Sequence, residues 1–202
     1  MLAVIDYGAG NLRSVLHALN YLNVESVRVV RSPHELRGAS KIILPGVGAF
    51  GAGMAKLHAQ DLVKPIRDMV ISGIPYLGIC LGMQFLFTES DEMGVHAGLD
   101  LLHGKVTRFE NLPALKIPHM GWNTLTFKQD SSLNHGIPDD SYAYFIHSYY
   151  CVPAHAEDVL TTTTYGIEFT SSVHRDNIYG VQFHPEKSQQ IGLRLLTNFL
   201  EL

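Results

Sequence analysis

The segment IPYLGICLGMQFLF, residues 74–87, decides the fold of this chain. Its apolar beginning is typical of a buried strand, and the residues after Cys80 have the composition of a helix. Gly78 and Gly82 flank the cysteine, and residues without a Cβ fit where a strand turns sharply into a helix. The segment therefore predicts a nucleophile elbow that presents a cysteine thiol at the end of a strand.

Apolar runs alternate with amphipathic stretches on the N-terminal side of this elbow. They predict strands at residues 2–7, 26–30 and 41–44, and helices at 11–23, near 34–37, at 52–72 and at 81–87. Such alternation is typical of a mostly parallel central sheet flanked by helices on both faces. The sequence thus predicts an α/β fold.

The C-terminal half adds strand-like segments and a closing helix. The strands are predicted at residues 105–109, 122–127, 142–151, 159–164, 169–174 and 177–183, and the helix at 189–202. No repeat, low-complexity tract or linker marks a boundary, so we expect residues 1–202 to form a single domain with additional β-strands in its C-terminal half.

Composition excludes several classes of function. The net charge is −4, and no run of Lys and Arg forms the basic footprint of a nucleic-acid surface. We expect no leader and no membrane-spanning segment, since no basic leader precedes the first predicted strand and no apolar stretch has spanning length. With only 2 cysteines, a disulfide framework is not expected, and a reducing cytoplasm is the natural compartment. The 11 histidines lack the spacing of metal ligands, so we expect no metal.

His184-Pro185-Glu186 supplies the partners that a cysteine nucleophile needs. His184 follows a strand-like run, and catalytic groups collect where the strands of an α/β sheet end. Pro185 restricts His184 to an extended backbone and places Glu186 within reach of the imidazole. Cys80, His184 and Glu186 are therefore the predicted nucleophile, base and orienting carboxylate.

Two glycine-bearing segments follow predicted strands. Gly8-Ala9-Gly10 does not continue as a dinucleotide fingerprint, because Arg13 stands where the third glycine belongs, and we expect no cofactor there. In Gly46-Val47-Gly48, successive backbone N–H groups can point toward Cys80. The same glycines permit a peptide rotation that would switch such a donor on or off.

Several motifs together give the chain a family resemblance. It resembles the class I glutamine amidotransferases and, more narrowly, the glutaminase subunits of imidazole glycerol phosphate synthase. The motifs are the Cys80 elbow, DYGAGN at 6–11, LPGVGAF at 44–50, PHMGWN at 118–123, FIHSYY at 145–150 and HPEKS at 184–188.

The resemblance implies hydrolysis of glutamine to glutamate and ammonia through a cysteine thioester. It places the oxyanion hole at Val47, Gly48 and Leu81. It assigns glutamine binding to Gly46, Gln84, Glu92, Ser148 and Tyr149. From the residues alone, Gln84 and Glu92 fit a solvated helix face and an acidic loop equally well.

The resemblance also implies a partner, a (β/α)₈-barrel cyclase subunit that receives the ammonia in a heterodimer. It places the contact at Asn11, Met120, Trp122, Tyr144 and Lys187. Trp122, the only tryptophan, fits an interface anchor or a core residue, and Lys187 fits a cross-subunit ion pair or a solvated surface.

Three other functions remain open at this point. A glutaminase subunit of another synthase would share Cys80, His184 and Glu186 but not the segments around Trp122 and Lys187. A free-standing γ-glutamyl cysteine hydrolase would act without a partner. A catalytically silent binding subunit would not need the complete set of nucleophile, base and carboxylate.

Overall fold

A single sheet runs through the protein in the computed structural model, which describes residues 1–110 and 115–202. Its strands within those ranges are β1 (Leu2–Ile5), β2 (Val27–Val30), β3 (Lys41–Gly46), β4 (Tyr76–Cys80), β5 (Phe87–Ser90), β6 (His96–Ala97), β7 (Leu102–Arg108), β8 (His119–Phe127), β9 (Ser141–His147), β10 (Tyr149–Pro153), β11 (Val159–Tyr165), β12 (Ile167–Arg175) and β13 (Ile178–Val181).

Parallel strands form one half of this sheet, in the order β2-β1-β3-β4-β13. From β13 the order continues as β12-β10-β7-β5-β6, and most of these contacts are antiparallel. Off this path, β11 pairs with both β12 and β8, and β8 and β9 form an antiparallel hairpin. The fold class predicted from the sequence is therefore confirmed, including the extra strands of the C-terminal half.

The helices in the described ranges are α1 (Leu12–Tyr21), α2 (Phe50–Ala59), α3 (Val63–Ile71), α4 (Leu81–Gln84) and α5 (Gln189–Glu201). Short 3₁₀ turns lie at Ser132–Asn134, Ala156–Asp158 and Pro185–Lys187. Apolar residues recur on one side of the longer helices; α1, for example, buries Val15, Ala18 and Leu19. None of these helices is long and apolar enough to span a membrane.

Two apolar cores cover the two faces of the parallel strands. Successive residues of β1 belong to different cores, since Ala3 lies in one and Val4 in the other, and Ile42 and Ile43 of β3 divide in the same way. Side chains alternate between the faces of a strand, so strands buried on both faces read as continuous apolar runs. This burial explains why the first strands can be predicted from the sequence.

The elbow at Cys80 has the strained backbone that its glycines indicate. Cys80 has φ 54° and ψ −108°, in a region that residues with a Cβ rarely adopt. A Cβ on Gly82 would lie 1.7 Å from the Leu44 carbonyl oxygen, and one on Gly78 would lie 2.3 Å from the Gly82 oxygen. Both glycines are therefore required by backbone packing beneath the nucleophile.

Some element boundaries differ from the sequence-based expectation. The helix predicted over 52–72 is two helices, α2 and α3, because the chain turns at Asp61 with φ 54°. The helix predicted to run through residue 87 ends at Gln84, and β5 and β6 were not predicted. The residues near 34–37 form a turn rather than a helix.

The strand predicted over 142–151 is two strands, β9 and β10, separated at Ser148. β9 pairs with β8, whereas β10 pairs with β7 and β12. A run of strand-forming residues does not reveal where a strand changes partners, because that change depends on distant segments. Ser148 lies at this junction and borders the candidate site.

We expect Gly82→Ala to lower the free energy of unfolding by about 3 kcal/mol or more, because the added methyl overlaps the Leu44 carbonyl, a backbone group. Urea unfolding measures this loss. Gly51→Ala is the control, since its methyl would meet only the half-buried imidazole of His96, and we expect it to cost less than about 1 kcal/mol. A Gly82→Ala chain as stable as its parent would contradict the packing explanation of the elbow.

Candidate active site

Cys80 and His184 come together because their strands are parallel neighbours. Ile79 of β4 lies opposite Val181 of β13, so the chain leaving β13 passes the elbow. His184 is 1% exposed and Cys80 6% exposed. With φ −100° and ψ 96°, His184 has the extended backbone predicted from the following proline.

The imidazole of His184 is held from behind by a carboxylate. Its Nδ1 lies 2.8 Å from Glu186 Oε1, so Nδ1–H donates to the carboxylate and Nε2 is left for the sulfur. Nε2 is buried without a partner of full hydrogen-bond geometry in the described part of the chain. Cys80 nevertheless lies near enough to the imidazole of His184 to affect its pKa.

Opposing effects set the protonation of His184. Burial disfavours the imidazolium, but the Cys80 thiolate and the Glu186 carboxylate outweigh it and raise the pKa of His184 to about 10. His184 therefore carries a proton at neutral pH and can donate it next to the sulfur of Cys80. A cysteine nucleophile beside a proton donor is the equipment for attack on a carbonyl group.

Asn11 lies next to the carboxylate of Glu186. Its Nδ2 donates to Glu186 Oε1 over 3.1 Å, and its own Oδ1 accepts from Ser14 Oγ over 2.7 Å. The sequence assigned Asn11 only to a partner contact. The structure adds a position behind the imidazole, which the sequence did not indicate because the start of α1 and the His184 loop are distant along the chain.

A cavity of about 290 Å³ opens directly above Cys80. This volume is at the low end of the roughly 300–1,000 Å³ typical of small-molecule sites. Most of the predicted oxyanion and glutamine-binding residues line it, from four separate segments. The lining is Val47, Gly48, Cys80, Leu81, Gln84, Glu92, Pro118, Ile146, His147, Ser148 and Tyr149. A larger, more open cavity of about 720 Å³, near Asp130 and His174, does not reach Cys80.

The loop after β3 reaches this cavity through register. Gly46 lies opposite Cys80 on the neighbouring strand, and Val47 and Gly48 continue into the cavity wall. Gly46 is buried and is not itself among the lining residues. Its lack of a side chain is explained by packing, since a Cβ there would lie 2.4 Å from the hydroxyl of Tyr7.

Glu92 joins the site from the loop between β5 and β6. Its Oε2 accepts the backbone N–H of Phe50 over 2.6 Å, at the start of α2. The carboxylate thus lies at a helix N-terminus, where negative charge is stabilised. Glu92 is half-buried and borders the cavity, so the sequence alternative of a solvated acidic loop is not what the structure has.

Gln84 is also buried, rather than lying on a solvated helix face. Its Nε2 donates to the Tyr149 carbonyl over 3.2 Å and to Gln182 Oε1 over 3.1 Å. Gln182, which is fully buried, donates its Nε2 to Cys80 Sγ over 3.6 Å. Gln182 was not predicted as a site residue, although a polar residue two before His184 in an apolar strand was an available signal.

His119 and His147 are a second pair of buried groups that the sequence analysis did not assign. They face each other across the β8–β9 hairpin, with Nδ1 of His119 3.0 Å from Nε2 of His147. Burial lowers the pKa of His119 to about 4 and, with nearby histidines, that of His147 to about 3. Both rings are therefore neutral at physiological pH.

Most of the residues predicted to contact a partner lie together on the outside of the same hairpin. Met120 is 59% exposed and Trp122 is 46% exposed. Tyr144 lies opposite Trp122, at 5.9 Å between ring centroids, and the exposed Lys187 has its Nζ 5.7 Å above the Tyr144 ring. Trp122 is thus a surface residue and not a core tryptophan. In residues 1–110 and 115–202, no three His, Cys, Asp or Glu side chains cluster as metal ligands do.

Comparison with known proteins shows which family of enzymes this chain belongs to. The glutamine amidotransferase class-I family matches residues 3–202. The fold is also similar to solved structures, among them a glutamine amidotransferase (22% identity, TM-score 0.76, 98% of this chain and 97% of that chain). Another is PurLQS from Thermotoga maritima (20%, TM-score 0.77, 99% and 97%). The chain belongs to the class-I glutamine amidotransferase family and is an enzyme of that class.

Curated relatives narrow the placement within the family. The HisH subunit of imidazole glycerol phosphate synthase from Moorella thermoacetica is 52% identical over 202 residues, covering 100% of this chain and 94% of the relative. The HisH subunit of Chlorobaculum tepidum is 48% identical, with 100% of both covered. That of Methanothermobacter thermautotrophicus is 47% identical, covering 100% and 98%. Within the class-I family, the chain groups with the HisH subunits.

We expect Asn11→Ala to lower kcat/KM for glutamine hydrolysis about tenfold, because hydrogen bonds to charged groups contribute about 1.5–3 kcal/mol and Glu186 loses one. Steady-state kinetics measures the loss. Ser14→Ala is the control, since its hydroxyl bonds to Asn11 and not to Glu186. An unchanged kcat/KM in Asn11→Ala would show that Glu186 is held without this contact.

We expect stability to fall as pH is lowered from about 6.5 toward 4, by on the order of 1 kcal/mol per pH unit for each of His119 and His147. Both have folded pKa values below that of the unfolded chain, so unfolding takes up protons. Urea unfolding at pH 7 and pH 5 measures the slope. His147→Leu should reduce the slope, whereas His103→Gln, a substitution at an exposed position, should not. Equal slopes in the parent and in both variants would refute the assignment of this pH dependence to His147.

Proposed function

We propose that this chain is the glutaminase subunit of an imidazole glycerol phosphate synthase. It hydrolyses glutamine to glutamate and ammonia, and a (β/α)₈-barrel cyclase subunit bound to it consumes the ammonia. The barrel makes imidazole glycerol phosphate and aminoimidazole carboxamide ribotide, as part of histidine biosynthesis. The proposal extends to this chain the assignment that its HisH relatives carry.

One observation carries the proposal. Cys80 lines a cavity of about 290 Å³, and His184, hydrogen-bonded to Glu186, lies near enough to the sulfur to interact with its charge. The lining also includes Val47, Gly48 and Leu81, whose backbone is the proposed oxyanion hole, and Glu92, which carries a carboxylate. A neutral amide group at the sulfur and a charged amino-acid end farther out match this distribution of groups.

The first half of the reaction forms a thioester. The Cys80 thiolate attacks the side-chain carbonyl carbon of glutamine, and the oxygen takes up the negative charge. The backbone N–H groups of Leu81 and of the Val47–Gly48 loop are the proposed donors to this oxyanion. The imidazolium of His184 gives its proton to the departing nitrogen, so ammonia leaves and the γ-glutamyl group stays on the sulfur.

The second half of the reaction hydrolyses this thioester. Neutral His184 takes a proton from water as the oxygen attacks the same carbonyl carbon. Collapse of the intermediate breaks the carbon–sulfur bond, which releases glutamate and restores the thiolate–imidazolium pair. Glu186 keeps Nδ1 of His184 protonated in both halves, so Nε2 always faces the reacting atoms.

Recognition of glutamine falls to the outer part of the cavity. We assign the α-ammonium group to Glu92, whose second oxygen remains after Oε2 has accepted Phe50 N–H. We assign the α-carboxylate to backbone N–H groups at Ser148 and Tyr149, where the chain passes from β9 to β10. Gln84 contributes by holding the Tyr149 carbonyl. No cofactor or metal enters this scheme.

The partner is part of the mechanism because ammonia released into water is mostly protonated and no longer a nucleophile. The cluster of exposed Met120, Trp122 and Lys187 with half-buried Tyr144 supports a docking face, since aromatic anchors are enriched at interfaces. The backbone of Tyr144 also meets the catalytic loop: its carbonyl accepts His184 N–H over 2.9 Å, and its N–H donates to Ser188 Oγ over 3.0 Å. Strand β9 therefore contributes Tyr144 to the docking face and also holds the backbone of His184. We place the heterodimer in the cytoplasm.

The test is release of glutamate from glutamine by the purified chain, alone and with the cyclase barrel and its nucleotide ligand. We expect the loaded complex to exceed the isolated chain by about tenfold or more, in the range of typical coupling between sites. Mass spectrometry of the quenched complex should find a γ-glutamyl adduct on Cys80.

Cys80→Ser is the control, because it leaves the docking face intact and removes the thiolate. It should bind the barrel with unchanged affinity and release no glutamate. Equal activity of the isolated chain and the complex would favour a free-standing hydrolase. Stimulation by a different synthase, but not by the cyclase barrel, would favour a glutaminase subunit of another enzyme.

A further inference from the structure

Two buried imidazoles that the proposed chemistry does not use lie next to the Ser148–Tyr149 wall of the cavity, and one of them, His147, also lines the cavity. They are His119 and His147, 2% and 6% exposed, on the inner side of the β8–β9 hairpin. The His119 ring is stacked between Phe145 and Tyr165, at 4.9 and 4.0 Å between centroids. A buried polar ring costs free energy unless its nitrogens are satisfied, so their partners are informative.

The protons on the two rings follow from the groups around them. The Tyr149 carbonyl can only accept, and His147 Nδ1 lies 2.8 Å from it, so Nδ1 carries the hydrogen. In a neutral imidazole the other nitrogen is then an acceptor. His147 Nε2 must therefore receive its hydrogen bond from His119 Nδ1, over 3.0 Å.

The donor and acceptor roles at the other end of this hydrogen-bond chain, at Asn123, are determined independently. With its hydrogen on Nδ1, His119 presents Nε2 as an acceptor, 3.3 Å from Asn123 Nδ2. The orientation of the Asn123 amide is set by the backbone, because Nδ2 also donates to the Thr164 carbonyl and Oδ1 accepts Thr124 N–H, each over 2.9 Å. Assignments from both ends agree on a single direction of donation.

We propose that His119 and His147 are positioning residues that hold the Tyr149 carbonyl, and with it the Ser148–Tyr149 wall, through this one-directional chain of hydrogen bonds. The inference rests on the proposed function, since that wall is assigned to the amino-acid end of glutamine. His147 spans the break at Ser148, where the chain passes from β9, which pairs with β8, to β10, which pairs with β7.

The hydrogen-bond chain from the two histidines meets a second hydrogen-bond chain at the Tyr149 carbonyl. Tyr149 O accepts from His147 Nδ1 on one side and from Gln84 Nε2 on the other. Gln84 also donates to Gln182, which donates to Cys80 Sγ. A polar path therefore joins the inner side of the hairpin to the nucleophile, with the substrate wall at its midpoint.

The same β8–β9 hairpin carries the proposed docking face on its outer side. Side chains alternate along β8, so Met120 and Trp122 point outward while His119 and Asn123 point inward. A partner that presses on the outer residues bears on the same backbone that carries the inner ones.

The first experiment reads the tautomers in the unchanged protein. Nitrogen-15 NMR of the histidine rings at pH 7 should show both His119 and His147 neutral, each with its hydrogen on Nδ1. A hydrogen on Nε2 alone, in either ring, would reverse the direction of donation and overturn the proposal. This measurement needs no substitution and no partner.

The second experiment uses kinetics in the complex with the cyclase barrel and its ligand. His147→Leu removes the donor to Tyr149 O, and we expect KM for glutamine to rise about tenfold while kcat falls less than about threefold. His147→Asn keeps an amide hydrogen near the position of Nδ1 and should return KM to within about threefold of the parent.

Phe145→Leu is the matched control, because Phe145 is buried on the same inner face and forms no part of the chain. It should lower stability without raising KM. A folded His147→Leu complex with unchanged KM, or an equal rise in Phe145→Leu, would leave a packing role only and overturn the proposal. If His147→Leu does not fold, the nitrogen-15 chemical shifts of the unchanged protein decide whether the proposal stands.

Failure of the two proposals can be told apart. If the unchanged complex releases no glutamate, the proposed function is wrong, whatever the tautomers are. If it releases glutamate and only the KM of His147→Leu stays constant, the positioning role alone is wrong.

Discussion

The strained backbone at Cys80 is the constraint on which the rest of the site depends. A left-handed φ of 54° turns the chain from β4 into α4 and lifts the sulfur out of the sheet. Such a conformation persists only where the surroundings hold it. Gly82 packs against the Leu44 carbonyl, and Tyr76 donates its hydroxyl to the Gly82 carbonyl over 2.8 Å. The elbow is thus built into the contact between two central strands.

Parallel register then determines what surrounds the sulfur. β3 brings Gly46 opposite Cys80 and carries Val47 and Gly48 into the cavity, while β13 leads His184 to the other side. Adjacent parallel strands end at the same edge, so groups far apart in the chain converge there without long loops. The high pKa of His184 is a consequence of this convergence, because it depends on two negative groups meeting in a buried place.

The β8–β9 hairpin connects the surface to this edge by two routes. Its backbone at Tyr144 binds the loop of His184 and Ser188, and its inner histidines reach the Tyr149 carbonyl. Its outer face carries the exposed aromatic residues proposed for docking. An antiparallel pair suits this arrangement, since each strand offers alternate side chains to two different environments.

The sequence by itself determined the α/β class, the elbow, and the pairing of His184 with Glu186, because each depends on neighbours in the chain: the glycines beside Cys80, the proline after His184, and the apolar runs of doubly buried strands. Tertiary structure decided the rest. Asn11 reaches Glu186, Gln182 reaches Cys80, and His119 meets His147 only through strand order and register. Local patterns specify which strands form and not which ones become neighbours, so these three contacts between distant segments had no counterpart in the sequence.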